Sequence, residues 1–151
     1  MHSNLPGSIL AIDLGEKRIG LALSDAGRLI ARSYGMFLRQ SRREDFARYE
    51  EIIQKEGVTL VLMGLPLRDG AENSATMWVR DYAADLARVL SVPVTLWDES
   101  YSSQQAAASL SERGIRAKKQ KGRIDAAAAA FILQSYLEAH YPTELSELPD
   151  L

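Results

Sequence analysis

Ile9-Leu10-Ala11-Ile12-Asp13-Leu14-Gly15-Glu16-Lys17-Arg18-Ile19-Gly20-Leu21-Ala22-Leu23-Ser24 holds two apolar runs separated by a short polar turn. Each run has the length of a buried strand and is bounded by turn residues. A parallel crossover needs a much longer connection, so this link predicts an antiparallel pair. Asp25-Ala26-Gly27 marks the next turn, and Arg28 to Leu38 reads as a third strand whose alternation breaks near Gly35. The chain is expected to open as an antiparallel meander with Asp13 at the mouth of its first strand.

The hydrophobic period then changes. Phe46, Tyr49, Ile52 and Ile53 lie at helical spacing, and Gly57 is placed to stop that helix. Thr59-Leu60-Val61-Leu62-Met63 is a continuous apolar run, as in a strand covered on both faces. A loop over 64–73 leads to a helix over about 74–90, with Met77, Tyr82, Leu86 and Leu90 among its apolar positions. A fifth strand is expected over 93–97. Ser102 and Gln105 have capping-box spacing for a helix that stops near Gly114. A last helix is expected from about Ile124 to Tyr141, closed by Pro142. This order predicts one α/β domain over 8–141, a mixed sheet with helices packed against it, between a tail of residues 1–7 and another of 142–151.

Composition narrows the functional classes. The chain has 151 residues, 46% hydrophobic and 25% charged, which suits one globular domain with its own core. It has no cysteine, so disulfides, thiolate metal sites and cysteine nucleophiles are excluded. The longest apolar run, Ala126 to Leu133, falls far short of the ~20 residues that span a bilayer. The first residues lack the basic and apolar regions of a secretory signal, and a cytoplasmic location is expected. Net charge is −2, but basic residues concentrate over 116–123 while 144–151 is acidic.

Asp13, Glu99 and Asp125 each stand where an apolar segment meets a polar turn. Taken singly, Asp13 reads as a turn cap as well as a ligand, Glu99 as a solvated strand end, and Asp125 as a helix-dipole or N-cap residue. Carboxylates that converge in a cleft repel one another unless a cation lies between them, so together they suggest a divalent-metal site. Asp98 and Glu99 are neighbours on a strand and point to opposite faces, so at most one faces a given site. Arg116-Ala117-Lys118-Lys119-Gln120-Lys121-Gly122-Arg123 carries five positive charges in eight residues. A solvated loop is the plain reading of that run. Its position ahead of Asp125 also suits a polyanion held over metal ions, and Lys17 and Arg18 put similar charge beside Asp13. His2 and His140 lie in a tail and at a helix end and take no role.

Asp13-Leu14-Gly15 with Arg18-Ile19-Gly20, Gly64-Leu65-Pro66 with Asp69-Gly70, Asp98-Glu99, and Lys121-Gly122-Arg123-Ile124-Asp125-Ala126-Ala127-Ala128 occur in the order seen in the YqgF/RuvX family. The chain resembles that family over about 8–141 and departs from it at Ser100, where the family usually has arginine. The resemblance implies a RuvC-like, ribonuclease H-like fold with a five-stranded sheet of order 3-2-1-4-5. It implies a metal-dependent nuclease, with Asp13, Glu99 and Asp125 as catalytic and metal-binding residues and Glu99 as the inward carboxylate of its pair. Mg²⁺ or Mn²⁺, two ions in the usual scheme, suits such all-oxygen ligands. Lys17, Arg18, Lys118, Lys119, Lys121 and Arg123 would bind nucleic acid, with 114–123 as a mobile basic flap.

The implied partner is structured RNA or branched DNA. Maturation of the pre-16S rRNA 5′ end on pre-ribosomal particles and resolution of Holliday junctions both remain open, as do monomer and homodimer. A non-catalytic nucleic-acid-binding domain is a second class. A sugar-kinase-like ATPase is a third, resting on the Asp13 hairpin alone.

Overall fold

The computed structural model describes residues 5–98 and 117–141, with backbone alone over 117–124. Strands β1 (Ser8–Leu14), β2 (Arg18–Ser24) and β3 (Ala31–Leu38) form the opening meander, followed by α1 (Arg42–Glu56) and β4 (Val58–Leu65). Helix α2 (Ser74–Val89), β5 (Val94–Asp98) and α3 (Ala117–His140) complete the described elements. The sheet order is β3-β2-β1-β4-β5, with the first three strands antiparallel and β1, β4 and β5 mutually parallel. The expected order is thus the observed one. The helix expected after Ser102 lies outside the described residues, as do residues 1–4 of the first tail and the whole of the second, 142–151.

The alternation of β1 divides the core in two. Leu10, Ile12 and Leu14 face α1 and α2, packing with Phe46, Tyr49, Val79, Tyr82 and Leu86. Ile9 and Ala11 face the opposite side, against Ala129, Ile132, Leu133 and Leu137 of α3. Both faces of the central strands are covered, which is why β1 and β4 are apolar throughout rather than alternating. No helix among the described residues is long and apolar enough to cross a membrane.

Local chemistry sets the boundaries. The Ser41 side chain accepts the Glu44 N–H at the start of α1, and Gly57, at φ 68°, supplies the left-handed residue that ends it. Asn73 and Thr76 form a capping box at α2. The Thr76 hydroxyl also donates to the carbonyl of Pro66, tying α2 to the end of β4. Arg68 and Ala71 pair across a tight Asp69-Gly70 turn inside the segment expected to be plain loop.

Two expectations need correction. Strand β3 starts at Ala31 rather than Arg28, because Asp25 Oδ1 accepts the N–H groups of Leu29 and Ile30, each at 2.9 Å, and folds 25–30 into a turn. Burial alone would raise the Asp25 carboxyl, but the N–H groups of Ile30 and Leu29 outweigh it and hold it below its ordinary range. The second correction concerns α3, which begins at Ala117 rather than near Ile124. Alanine, lysine and glutamine are good helix formers, so residues 117–123 of the charge run that reads as a loop carry helical backbone instead. The break at Gly35 is a bulge: Leu21 pairs with Gly35 and Ala22 with Ser33, leaving Tyr34 as the extra residue.

Candidate nuclease site

Asp13 lies one residue from the end of β1, directly opposite Gly20 of β2. By the alternation of β1 it shares the face of Ile9 and Ala11, the face covered by α3. The helix comes down on this spot. A Cβ on Gly20 would collide with the carbonyl oxygen of Asp125, so only glycine lets the α3 backbone rest on β2 there. Ala126, Ala128 and Ala129 continue the close approach with their small side chains, all buried. The alanine run is therefore a contact surface between helix and sheet. It brings Asp125 to the strand position facing Asp13.

Asp125 is charge-paired as well as close. Arg18 Nε donates to Asp125 Oδ2 at 2.7 Å, with the two side chains 32% and 21% exposed. Arg18, expected to contact nucleic acid, thus also neutralises a predicted metal ligand. The dipole and N-cap readings of Asp125 fall away with the early start of α3, since the dipole effect fades within the first turn. A concavity of about 310 Å³ opens here, lined by Gly15, Glu16, Lys17, Arg18 and Asp125. Its rim is the β1–β2 hairpin, closed by Gly15 N donating to Arg18 O at 2.9 Å. Glu16 and Lys17 are exposed at the tip, leaving the Lys17 charge available to a polyanion.

On β5, Leu96 packs toward α1 and α2 while Trp97 packs toward α3. Trp97 Nε1 donates to Ser135 Oγ of α3 at 3.1 Å. Asp98, opposite Leu65 in the register, therefore takes the α1/α2 face, away from Asp13 and Asp125. Glu99 lies outside the described residues, as does Arg116. Lys118, Lys119, Lys121 and Arg123 lie on the opening turns of α3, in backbone that was expected to form a flap. Their side chains are outside the description.

The structure thus brings Asp13, Lys17, Arg18 and Asp125 to one strand end. Among the described residues no cluster of three or more metal-ligating side chains forms. The two carboxylates offer only oxygen, the donor type that Mg²⁺ and Mn²⁺ prefer over softer metals. In the sequence Gly20 is one residue of the Arg18-Ile19-Gly20 motif with no role of its own, although a small residue opposite Asp13 and an alanine run downstream are the two halves of a close packing contact.

A family model described as "RuvX: Holliday junction resolvase" matches residues 7–139. A curated relative from Koribacter versatilis, named "Putative pre-16S rRNA nuclease", is 38% identical over 137 residues, covering 90% of each chain. A relative of the same name from Anaeromyxobacter dehalogenans is 41% identical over 134 residues, covering 88% of this chain and 98% of its own. Among solved structures, Thermus thermophilus RuvC in complex with a Holliday junction substrate aligns with a TM-score of 0.53 at 19% identity, covering 90% of this chain and 96% of that one. That likeness is one of fold, and it agrees with a ribonuclease H-like sheet.

Proposed function

The chain belongs to the RuvX family, and on that premise we propose that it is a metal-dependent nuclease whose site is built from Asp13, Asp125 and Glu99. One observation carries the reading. The α3 backbone rests on Gly20, the cross-strand partner of Asp13, and so delivers Asp125 to the same strand end. Glu99 is chosen over Asp98 as the third ligand because Asp98 belongs to the other face of the sheet.

Asp13 and Asp125 would hold the cation, Mg²⁺ or Mn²⁺, with Glu99 completing the set. Once bound, such ions neutralise charge on the scissile phosphate and acidify the attacking water. The chain's own residues do the remainder. Lys17 at the hairpin tip and the basic residues of 118–123 attract and orient the phosphodiester backbone, giving salt-sensitive binding with little sequence discrimination. Arg18 has two alternative anions, the Asp125 carboxylate and a substrate phosphate. Asp125 would help to hold the cation, and Arg18, freed from that carboxylate, would then be in reach of the substrate phosphate.

The substrate we favour is pre-16S rRNA, following the names of the curated relatives, and we place the cut in its 5′ region within pre-ribosomal particles. The family's description favours a second reading, a branched DNA junction. Cleavage of a pre-16S 5′ fragment and a four-way DNA junction, each in Mg²⁺ and in Mn²⁺, separates the two. We expect the RNA fragment to be cut and Asp13→Asn to abolish the cut while leaving the fold intact. Metal-dependent cleavage unchanged in Asp13→Asn would overturn the assignment of the site.

A further inference from the structure

On the other side of the β1–β2 hairpin lies a second and larger concavity, about 510 Å³, lined by Leu14, Gly15, Glu16, Arg39, Pro66, Ser74, Ala75, Trp78 and Val79. It shares Gly15 and Glu16 with the concavity at Asp125, so the two form a continuous surface across the hairpin. Its volume falls in the range of small-ligand pockets, about 300–1,000 Å³. The chemistry of its walls is specific. The Arg39 guanidinium lies over the Trp78 ring, 4.9 Å from the centroid, and Trp78 is only half-buried. Arg39 is held in place by its Nη1–H on the Glu16 carbonyl and its backbone N–H on the Lys17 carbonyl, both at 2.8 Å. Its Nε–H is buried and has no hydrogen-bond partner among the described residues, so the guanidinium meets the pocket through its face and its remaining N–H groups.

We propose that this pocket receives one unstacked nucleobase of the substrate strand, next to the phosphate that is cut. The inference rests on the nuclease reading and adds to it a requirement for an unpaired nucleotide beside the cleavage position. A flat indole layered with a guanidinium, among small apolar groups, is the surface on which splayed-out bases stack. A strand whose phosphate lies over Asp13 and Asp125 passes the Glu16–Lys17 tip, and its neighbouring base then falls on the Arg39–Trp78 side. Arg39 couples the two halves, because the hairpin it grips also carries the Lys17 charge. A fully paired helix cannot place a base there without breaking a pair.

Trp78 itself reports on the pocket, since the chain has two tryptophans. In Trp97→Phe, Trp78 is the only indole. The probe is a short single-stranded oligoribonucleotide, with the same sequence annealed to its complement as control, in Ca²⁺ to limit turnover. Binding is followed independently by the anisotropy of an end label. We expect the single strand to quench Trp78 and the duplex to leave it unchanged. An abasic substitution at one position beside the cut should weaken binding about tenfold, the scale of one stacked base. Trp78→Leu in the otherwise natural chain should abolish that abasic effect, Trp78→Phe should retain most of it, and Arg39→Gln gives the same abasic test if Trp78→Leu fails to fold. Bound and cleaved RNA with silent Trp78 emission, or an equal abasic effect in Trp78→Leu, overturns the base pocket and leaves the nuclease standing. Failure of the natural chain to bind or cut any of these nucleic acids overturns both.

Discussion

Arg18 stands between an acid of its own chain and the polyanion its charge would attract. Its ion pair with Asp125 is partly exposed, so its worth to stability is small, about 0–1 kcal/mol. Its effect on the proposed site is larger, because a cation bound there would compete with the guanidinium for the same carboxylate. Arg18→Gln is therefore expected to shift the thermal midpoint little, to tighten Mn²⁺ binding measured by calorimetry, and to weaken binding of the RNA fragment. Weaker Mn²⁺ binding in Arg18→Gln would mean that the arginine organises the carboxylate instead of competing for it. None of this was legible in the sequence. Arg18 reads there as one more basic residue beside Asp13, and nothing in a linear pattern couples position 18 to position 125.

The contact between α3 and β2 decides whether the site exists. At this scale the sequence was legible in kind and misread in extent. Alanines 126–130 marked a helix, and their smallness was a packing signal, but the lysines ahead of them concealed two further turns of helix. Propensity, which favours lysine and glutamine in helices, outweighed the charge run. The turn at Asp25 was legible but its extension to residue 30 was not: a single Asp25 carboxylate accepting two N–H groups overrides the strand-like residues that follow. Gly20→Ala tests the contact. The added methyl must push α3 from the sheet, costing about 1–3 kcal/mol of stability as overpacking does. Cleavage should fall by much more than that stability loss alone would cause at a temperature where the variant is folded. Equal activity per folded molecule would show that the separation of α3 from β2 does not set the site.

Across the whole molecule, the site sits on a platform braced from the far face. Tyr49 of α1 and Tyr82 of α2 are fully buried, and their hydroxyls share a hydrogen bond of 2.9 Å. Burial raises both phenols, Tyr82 up to about 12 and Tyr49 further, each reinforced by the buried Asp45 nearby. The sign follows from linkage. The folded values lie above the unfolded value of about 10, so the contribution to stability is complete below pH ~10 and is lost as pH rises toward the folded values. Thermal unfolding monitored against pH should show the midpoint falling above pH ~10, with a shallower fall in the Tyr49→Phe/Tyr82→Phe double variant. An unchanged alkaline slope would remove the pair from that role. The sheet order, the two-faced core and most element positions followed from periodicity and from family motifs. The brace and the pocket at Trp78 did not, because both depend on side chains brought together from distant elements.

The proposed site stands or falls on whether Asp13 and Asp125 meet across Gly20 to hold a divalent cation. Anomalous diffraction from crystals of the full chain soaked in Mn²⁺ tests it most directly. We expect a manganese peak in contact with both carboxylates, with Arg18 displaced from Asp125. An Arg18–Asp125 pair left intact, with manganese absent from Asp13 at saturating concentration, would contradict it.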